Sequence, residues 1–246
     1  MAASYVSTKA FVNLDPSVDS AVLAVSAGST HAIVVHVAVA SQDVTVASVT
    51  DDNNNNVYSS VSALANDEVD YATGRYSANP VKDNFIDGEC WFVKSGGTVT
   101  KVTVTLSNGA RFAVEALVYV CGGGIGNSIA GTAIASGAPS VSLTTAVAST
   151  SIVSAGFSTV KGLNQGAGAG AGIMAEVAGA PEGGAGLSGV AVTVEDKLAA
   201  GSGPTAVALA PVSTESVSIS ISSGSPQAGT QPVPASYAIC AVEIKA

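Results

Sequence analysis

The sequence has few of the residues that usually carry chemistry. Of its 246 residues only 11% are charged and 5% are aromatic, and there are two histidines, three cysteines and one tryptophan. A hydrolytic triad needs a histidine as its base, but His31 and His36 both lie in an apolar run without a carboxylate near them in sequence. They are five positions apart, so on one strand they would point to opposite faces. We therefore predict no catalytic residues.

Basic residues are also scarce. Nine lysines and arginines face 18 aspartates and glutamates, which gives a net charge of −9. Because non-specific nucleic-acid binding depends on basic side chains that neutralise phosphates, we expect no nucleic-acid partner. No apolar run is long enough to span a membrane, and the first residues lack the layout of a secretory signal. The product is then used in the cytoplasm, released by lysis, or already stripped of its signal.

The three cysteines, Cys90, Cys121 and Cys240, are far apart and show no CxxC spacing. We expect them to be small, buried core residues, since free cysteine is often found in protein interiors. A disulfide between two of them would leave the third over. No metal or cofactor is predicted, because neither histidine lies near a cysteine in sequence.

The residues that are abundant favour strands. Alanine and valine make up most of the apolar content, with many serines, threonines and glycines beside them, while good helix formers are few. The sequence predicts an all-β fold, an antiparallel, jelly-roll-like β-sandwich with long loops. We expect a single domain over residues 1–246, although the length also allows two small domains. Residues 1–16 would form a leading strand or arm, and residues 165–189 a Gly/Ala-rich loop.

Residues 89–120 are interpreted as the central unit of the sheet. They contain Trp91, the clearest strand alternation and two candidate tight turns, which predicts successive hairpins. Residues 31–40 are apolar at nearly every position, which is typical of a strand buried on both faces. Residues 236–245 have apolar side chains at both parities and are predicted to be a central closing strand.

Two polar segments are candidates for loops with a function. Residues 51–56 read DDNNNN and are predicted to form a hairpin turn; a calcium loop is the alternative, although the glycine and final glutamate of an EF-hand are missing. Residues 65–87 are the most polar part of the chain. Their aromatic residues Tyr71, Tyr76 and Phe85 are candidates for contacts with a sugar or a protein surface, or they cap the end of the sandwich in a solvated loop.

Glu115 stands out among the acidic residues. It interrupts the apolar run of residues 113–120, where a charge is costly unless it is exposed or paired. We interpret it as an edge or interface carboxylate rather than a catalytic one. The glycines at 122–124 invite comparison with a phosphate-binding loop, but no GK[ST] or GxGxxG spacing follows.

The order of several motifs resembles a β-sandwich module found in phage virion proteins and bacterial surface proteins. The sequence SVTDDNNNNVY at 48–58 is similar to the first hairpin of that module. The strands CWFVK at 90–94, residues 99–106, the Glu115 strand and residues 238–245 follow in the same order. In two respects the chain departs from the module: the glycine of the first turn is replaced by asparagine, and the Gly/Ala segment is long.

The resemblance implies a jelly-roll-like sandwich with a non-enzymatic role in a virion or at a surface, and it supplies no site residues. The first hypothesis is a structural protein of a virus particle. We expect an exterior component such as a decoration, turret or fibre-associated subunit that binds copies of itself and other virion proteins. It would be made in the host cytoplasm and released by lysis. A carbohydrate-binding or adhesin module at an extracellular surface is the second hypothesis. A filament subunit that donates residues 5–12 to a neighbour's sheet is the third.

Overall fold

The structure is a computed structural model, and every regular element in its described part is a β-strand. It describes residues 3–13, 15–39, 41–66, 69–70, 75–76, 85–110, 112–135, 140–144, 146, 151–161, 172–176, 198–199, 216–220 and 235–246. The strands within these ranges are β1 (Ser4–Asn13), β2 (Ser20–Ala27), β3 (His31–Val39), β4 (Val46–Asp51), β5 (Ser59–Asn66), β6 (Val69–Asp70), β7 (Arg75–Tyr76), β8 (Phe85–Lys94), β9 (Val99–Leu106), β10 (Phe112–Val120), β11 (Gly124–Ala135), β12 (Ser140–Thr144), β13 (Ile152–Lys161), β14 (Gly172–Glu176), β15 (Leu198–Ala199), β16 (Ser216–Ser220) and β17 (Ala235–Lys245).

Three antiparallel sheets are stacked into a sandwich. The central sheet has the strand order β1-β10-β3-β8-β5. The short outer sheet has the order β2-β9-β4, and the long outer sheet has the order β11-β17-β13-β14-β15. Two further strand pairs, β12-β16 and β6-β7, complete the ladders of the described residues. The predicted all-β sandwich is confirmed, with a third layer added to the two sheets of the expected jelly-roll-like form.

The central sheet is buried on both faces, which divides the core in two. One cluster lies between the central sheet and the long outer sheet and includes Val34, Leu117 and Val242. The other lies between the central sheet and the short outer sheet and includes Val35 and Val102. The prediction that residues 31–40 are buried on both faces is confirmed from Ala32 to Val39. Both faces of β3 are apolar because each has a sheet packed against it.

The predicted hairpins within residues 89–120 are wrong. Strands β8 and β10 do lie in the central sheet, but they flank β3 instead of pairing with each other. Strand β9 crosses to the short outer sheet and pairs with β2 and β4. The side chains of β9 alternate between buried and more exposed, so this strand is suited to an outer layer with one face towards water.

The hairpin predicted at residues 51–56 is wrong for a related reason. A turn does form there, with the Asn56 amide donating to the Asn53 carbonyl at 3.0 Å. However, β4 before the turn belongs to the short outer sheet, and β5 after it belongs to the central sheet. The turn therefore carries the chain from one layer to another.

The two chain ends form strands as predicted, and part of the Gly/Ala-rich segment forms a strand as well. The leading strand is present as β1, which forms an edge of the central sheet. The closing strand β17 lies between β11 and β13, as predicted for a central strand. Within the expected loop at 165–189, residues Gly172–Glu176 form β14 and pair with β13, where the sequence IMAE interrupts the Gly/Ala repeat. The other residues of that segment lie outside the described ones.

Candidate functional site

The structure places four carboxyl groups inside the sandwich. Asp87, Glu89, Glu115 and Glu243 are all buried. A buried carboxylate is costly unless hydrogen bonds replace its water, so each of these groups must have partners or a shifted pKa. These four residues are the natural candidates for a reactive centre, and their partners decide what they can do.

Glu115 lies on β10, beneath the edge strand β1. The Thr8 hydroxyl on β1 donates to Glu115 Oε1 at 2.5 Å. Strand β1 has an irregular register between Tyr5 and Ser7, so the contact lies close to a β-bulge. Glu115 has no solvent exposure, and its strand is flanked by β1 and β3, so it does not lie on an edge strand. The interpretation as an interface carboxylate stays a prediction. Arg111, its neighbour in sequence, lies outside the described residues.

Glu89 joins the central sheet to the short outer sheet. Its Oε1 accepts a hydrogen bond from the backbone N–H of Val46 at 2.7 Å, and its Oε2 accepts one from Trp91 Nε1 at 2.7 Å. Val46 stands at a register shift of β4 against β9, between Val46 and Ser48. Glu89 therefore satisfies a backbone donor where the ladder is interrupted.

Glu243 does the same in the long outer sheet. Its Oε2 accepts from the backbone N–H groups of Asn127 at 3.1 Å and Ala146 at 2.7 Å. Asn127 lies within the register shift of β11 between Ile125 and Ser128. A Cβ on the neighbouring Gly126 would collide with the Glu243 carboxylate, so glycine leaves room for this contact.

The three buried glutamates thus share one arrangement: each contacts a neighbouring strand at or near a β-bulge. A bulge leaves a residue unpaired in the ladder, and an unpaired buried N–H costs free energy comparable to a lost hydrogen bond. At Glu89 and Glu243 the carboxylate accepts from such backbone donors, and at Glu115 it accepts from a hydroxyl. This chemistry fixes the positions of strands.

Asp87 is hydrogen-bonded to Glu89, two residues along the same strand. Burial, followed by the nearby charge of Glu89, raises the pKa of Asp87 to about 7. Two adjacent carboxyls with one proton between them are a form of acid–base pair. Here Glu89 is already engaged by Val46 and Trp91, which leaves the pair as a structural link between layers.

A second polar group lies between the central and long outer sheets. His36 Nε2 and Ser154 Oγ are 3.1 Å apart, and the Tyr119 hydroxyl donates to Ser154 Oγ at 3.0 Å. Burial lowers the pKa of His36 to about 3, so the ring is neutral. Among the described residues His36 Nδ1 has no hydrogen-bond partner, and it faces Gly156 on β13.

A hydroxyl beside an imidazole supplies two of the three groups of a hydrolytic triad, but the Ser154–His36 pair is not accessible to a substrate. Ser154 and Tyr119 have no exposed surface, and the small pocket beside His36 is lined by Gly88, Glu89, Gly156 and Cys240. The Cys240 thiol donates to the Gly88 carbonyl at 3.1 Å. Burial raises the pKa of the Cys90 and Cys240 thiols, which keeps them protonated and weakly nucleophilic. The prediction that the cysteines are free and buried is confirmed for all three.

The Asp/Asn-rich turn uses its carboxylates internally. Asp51 accepts hydrogen bonds from the Asn53 backbone at 2.9 Å, the Asn56 side chain at 2.8 Å and the Tyr58 hydroxyl at 2.9 Å. Asp52 accepts from the hydroxyl and the backbone N–H of Thr100. Within the described part of the chain no three histidine, cysteine or acidic residues are grouped so that they could hold a metal ion.

The structure does not describe the side chains of the three aromatic candidates in the polar loop, so their role stays a prediction. Tyr71 lies outside the described residues. Tyr76 is in β7 and Phe85 begins β8, and only their backbones are described. Sequence patterns did not single out Asp87, Glu89, Glu243 and Ser154. The signal used for Glu115, a charge within an apolar strand, would have found Glu89 and Glu243 as well.

Comparison with known proteins adds no family to this description. A scan of protein-family models, a search of curated proteins and a search of solved structures each found no match. The described residues also contain no helix that is long and apolar enough to cross a membrane.

Proposed function

We propose that this protein is a non-enzymatic structural subunit of a virus particle that assembles with copies of itself. The observation that supports the proposal is that the buried glutamates bind neighbouring strands. Glu89 and Glu243 accept hydrogen bonds from backbone N–H groups at strand irregularities, and Glu115 accepts from Thr8 on the edge strand. These three carboxylates of the described residues hold strands in position, which supports a structural role.

The open sheet edges support assembly. In the described residues β2 pairs on one side only, with β9, and its outward side chains are exposed and uncharged: Ser20, Val22, Ala24 and Ser26. An uncharged edge strand is a template for pairing unless it is covered. Homo-oligomers of closed symmetry would cover such edges with copies of the same chain.

The virion setting rests on the resemblance of motif order to the phage module. Within that setting, an exterior decoration, turret or fibre-associated subunit fits an acidic chain with nine basic residues, since the interior of a particle faces nucleic acid. Other virion proteins would then be its partners. Synthesis in the host cytoplasm and release by lysis follow from the same role.

The test is the oligomeric state of the full chain. Light scattering after size exclusion and negative-stain microscopy at rising protein concentration should show discrete, symmetric assemblies. A chain that stays monomeric at the highest soluble concentration would contradict the proposal. A glycan array run on the same sample covers the carbohydrate hypothesis: binding that Tyr71→Ala or Tyr76→Ala abolishes would favour an adhesin module instead.

A further inference from the structure

The edge of β10 forms a slot that one strand fills. β10 lies in the central layer, and β1 covers its outer edge in a ladder from Ser4↔Val120 to Asn13↔Phe112. Every side chain of β10 from Phe112 to Tyr119 is buried. By contrast, Ser4, Val6 and Lys9 of β1 are exposed.

Three side chains of β1 are anchored along this slot. Tyr5 packs edge-on against Tyr119, with ring centroids 6.1 Å apart, and Phe11 packs against Phe112 at 5.8 Å. Between these aromatic contacts lies the hydrogen bond from Thr8 to Glu115. Main-chain pairing with side-chain anchors at intervals is how proteins recognise an added strand.

Glu115 determines the register in which a strand pairs with β10, and it discourages non-specific pairing when the edge of β10 is uncovered. It is the one charged residue of β10, and the Tyr119 hydroxyl is turned towards Ser154 in the long outer sheet. The polar side chain that β10 offers to an incoming strand is therefore this carboxylate. A strand docked out of register would place an apolar group against it at a desolvation cost. An inward-pointing charge at an uncovered edge also discourages non-specific pairing.

The link after β1 has a compact turn that can act as a hinge. The Val18 amide donates to the Asp15 carbonyl at 3.2 Å across Pro16 and Ser17. Asn13 donates to the Ala110 carbonyl at 2.9 Å, which fastens the end of β1 beside β10. Opening the Asp15–Val18 turn would free β1 to extend, and the Asn13 contact could form again with the Ala110 of another copy.

We propose that β1 is a donor strand, which a second copy of this chain accepts along its β10, and that this exchange joins the subunits. The inference deepens the proposed function and rests on it, because it names one contact of the assembly. Exchange of an identical element needs no new interface, since the anchors at Tyr5, Thr8 and Phe11 are used again between chains.

A disulfide trap across the ladder tests this in the full chain. Lys9 is paired with Ala116, so the double variant K9C/A116C places two thiols across β1 and β10. After oxidation of the assembled protein, non-reducing denaturing electrophoresis should show dimers or a ladder of higher species. The single variant K9C is the control, because Cys90, Cys121 and Cys240 are buried.

Each result of the trap decides one question. Assemblies whose cross-links lie only within single chains overturn strand exchange but leave the proposed function standing. Monomers with internal cross-links overturn both. If oxidation of the double variant gives no disulfide between the two introduced thiols at all, the ladder itself is contradicted and the inference falls with it.

The rate of subunit exchange provides a second measurement. A hydrogen bond to a charged group makes a large enough contribution that Thr8→Val should speed the exchange of labelled subunits about tenfold. Ser7→Ala, on the opposite side of β1, is the matched control and should leave the rate unchanged. Equal rates for both variants would place the contact elsewhere.

Discussion

At the residue scale, close packing between the layers decides which side chains are tolerated. Gly156 on β13 faces the His36 ring on β3, and a Cβ at this position would overlap His36 Nδ1. Both residues are buried between the central and long outer sheets. The imidazole therefore requires a glycine opposite it, a dependence between two residues that are far apart in sequence.

Gly156→Ala is expected to destabilise the protein by about 1–3 kcal/mol, because an extra methyl in a packed core forces side chains or backbone to move. The free energy of unfolding from urea denaturation measures this. Gly28→Ala is the control, since its Cβ would lie 3.6 Å from the His31 ring, an ordinary contact. A double-mutant cycle with His36→Ala should recover part of the loss; additive effects would show that the two sites are independent.

The pH dependence of stability follows from the buried His36. Its pKa falls from 6.5 to about 3 on folding because of burial, so the unfolded chain binds the extra proton first. Stability contributed by the neutral ring is complete above pH 6.5 and is lost as the pH falls towards 3. The contribution of His36 alone should fall by up to ~1.4 kcal/mol per pH unit in that window. His36→Gln should remove this contribution, which is measured as the difference in unfolding free energy between the variant and the wild type across the window.

Asp87 opposes that slope. Its pKa rises from 3.8 to about 7 in the folded protein, so the folded state holds the proton and stability falls as the pH rises from about 4 to about 7. Wild-type stability should then vary little between about pH 4 and about pH 6.5, where the two effects overlap. In Asp87→Asn, stability should fall as the pH falls from about 6.5 to about 4, because the effect of His36 is no longer offset. In His36→Gln, stability should instead rise as the pH falls over the same range. Parallel pH profiles for the two variants would contradict both assignments.

At the element scale, turns that connect different layers are held by side chains. In a hairpin, the two paired strands fix the turn between them. The turn after β4 has no such pairing, and Asp51 instead gathers the Asn53 backbone, the Asn56 side chain and the Tyr58 hydroxyl. Asn56 in turn accepts from the Gly96 backbone at 2.8 Å, which links the turn to the β8–β9 connection.

Asp51→Ala is expected to destabilise the protein by about 1–3 kcal/mol, because it leaves the buried Tyr58 without this acceptor. Asn54→Ala, at an exposed position of the same turn, is the control and should stay within about 0.5 kcal/mol. Denaturation midpoints at constant m-value measure both. Equal effects would mean that the turn depends on asparagine backbone preference rather than on the Asp51 hydrogen bonds.

At the scale of the whole molecule, the central sheet belongs to both cores. Val242 of the long outer sheet and Val102 of the short outer sheet pack on its opposite faces. Neither outer sheet can separate without exposing a face of β3, β8 and β10. This sharing is the physical basis for expecting the three sheets of the described residues to behave as one domain.

Val242→Ala and Val102→Ala are each expected to cost about 2 kcal/mol, from two lost methyl groups and the cavity they leave. Trp91, the only tryptophan, packs against the second core and reports on it by fluorescence, while far-UV circular dichroism reports on all strands. Both variants should shift both transitions equally. If Val242→Ala shifts circular dichroism but leaves the Trp91 transition in place, the two cores unfold separately.

The sequence by itself determined the all-β class, the burial of the cysteines and the two-sided burial of β3. Composition and the run of apolar residues carry that information locally. The sequence also distinguishes outer from central strands: β9 alternates between apolar and polar residues, whereas β3 and β10 are apolar almost throughout. Only the tertiary structure decided which strands pair. Strand β3, for example, pairs with β8 and β10, which both lie far from it along the chain. It also decided the roles of Glu89, Glu115 and Glu243. Each of these side chains contacts either a bulge or a hydroxyl group of a strand that is distant in sequence, and no local sequence pattern indicates that contact.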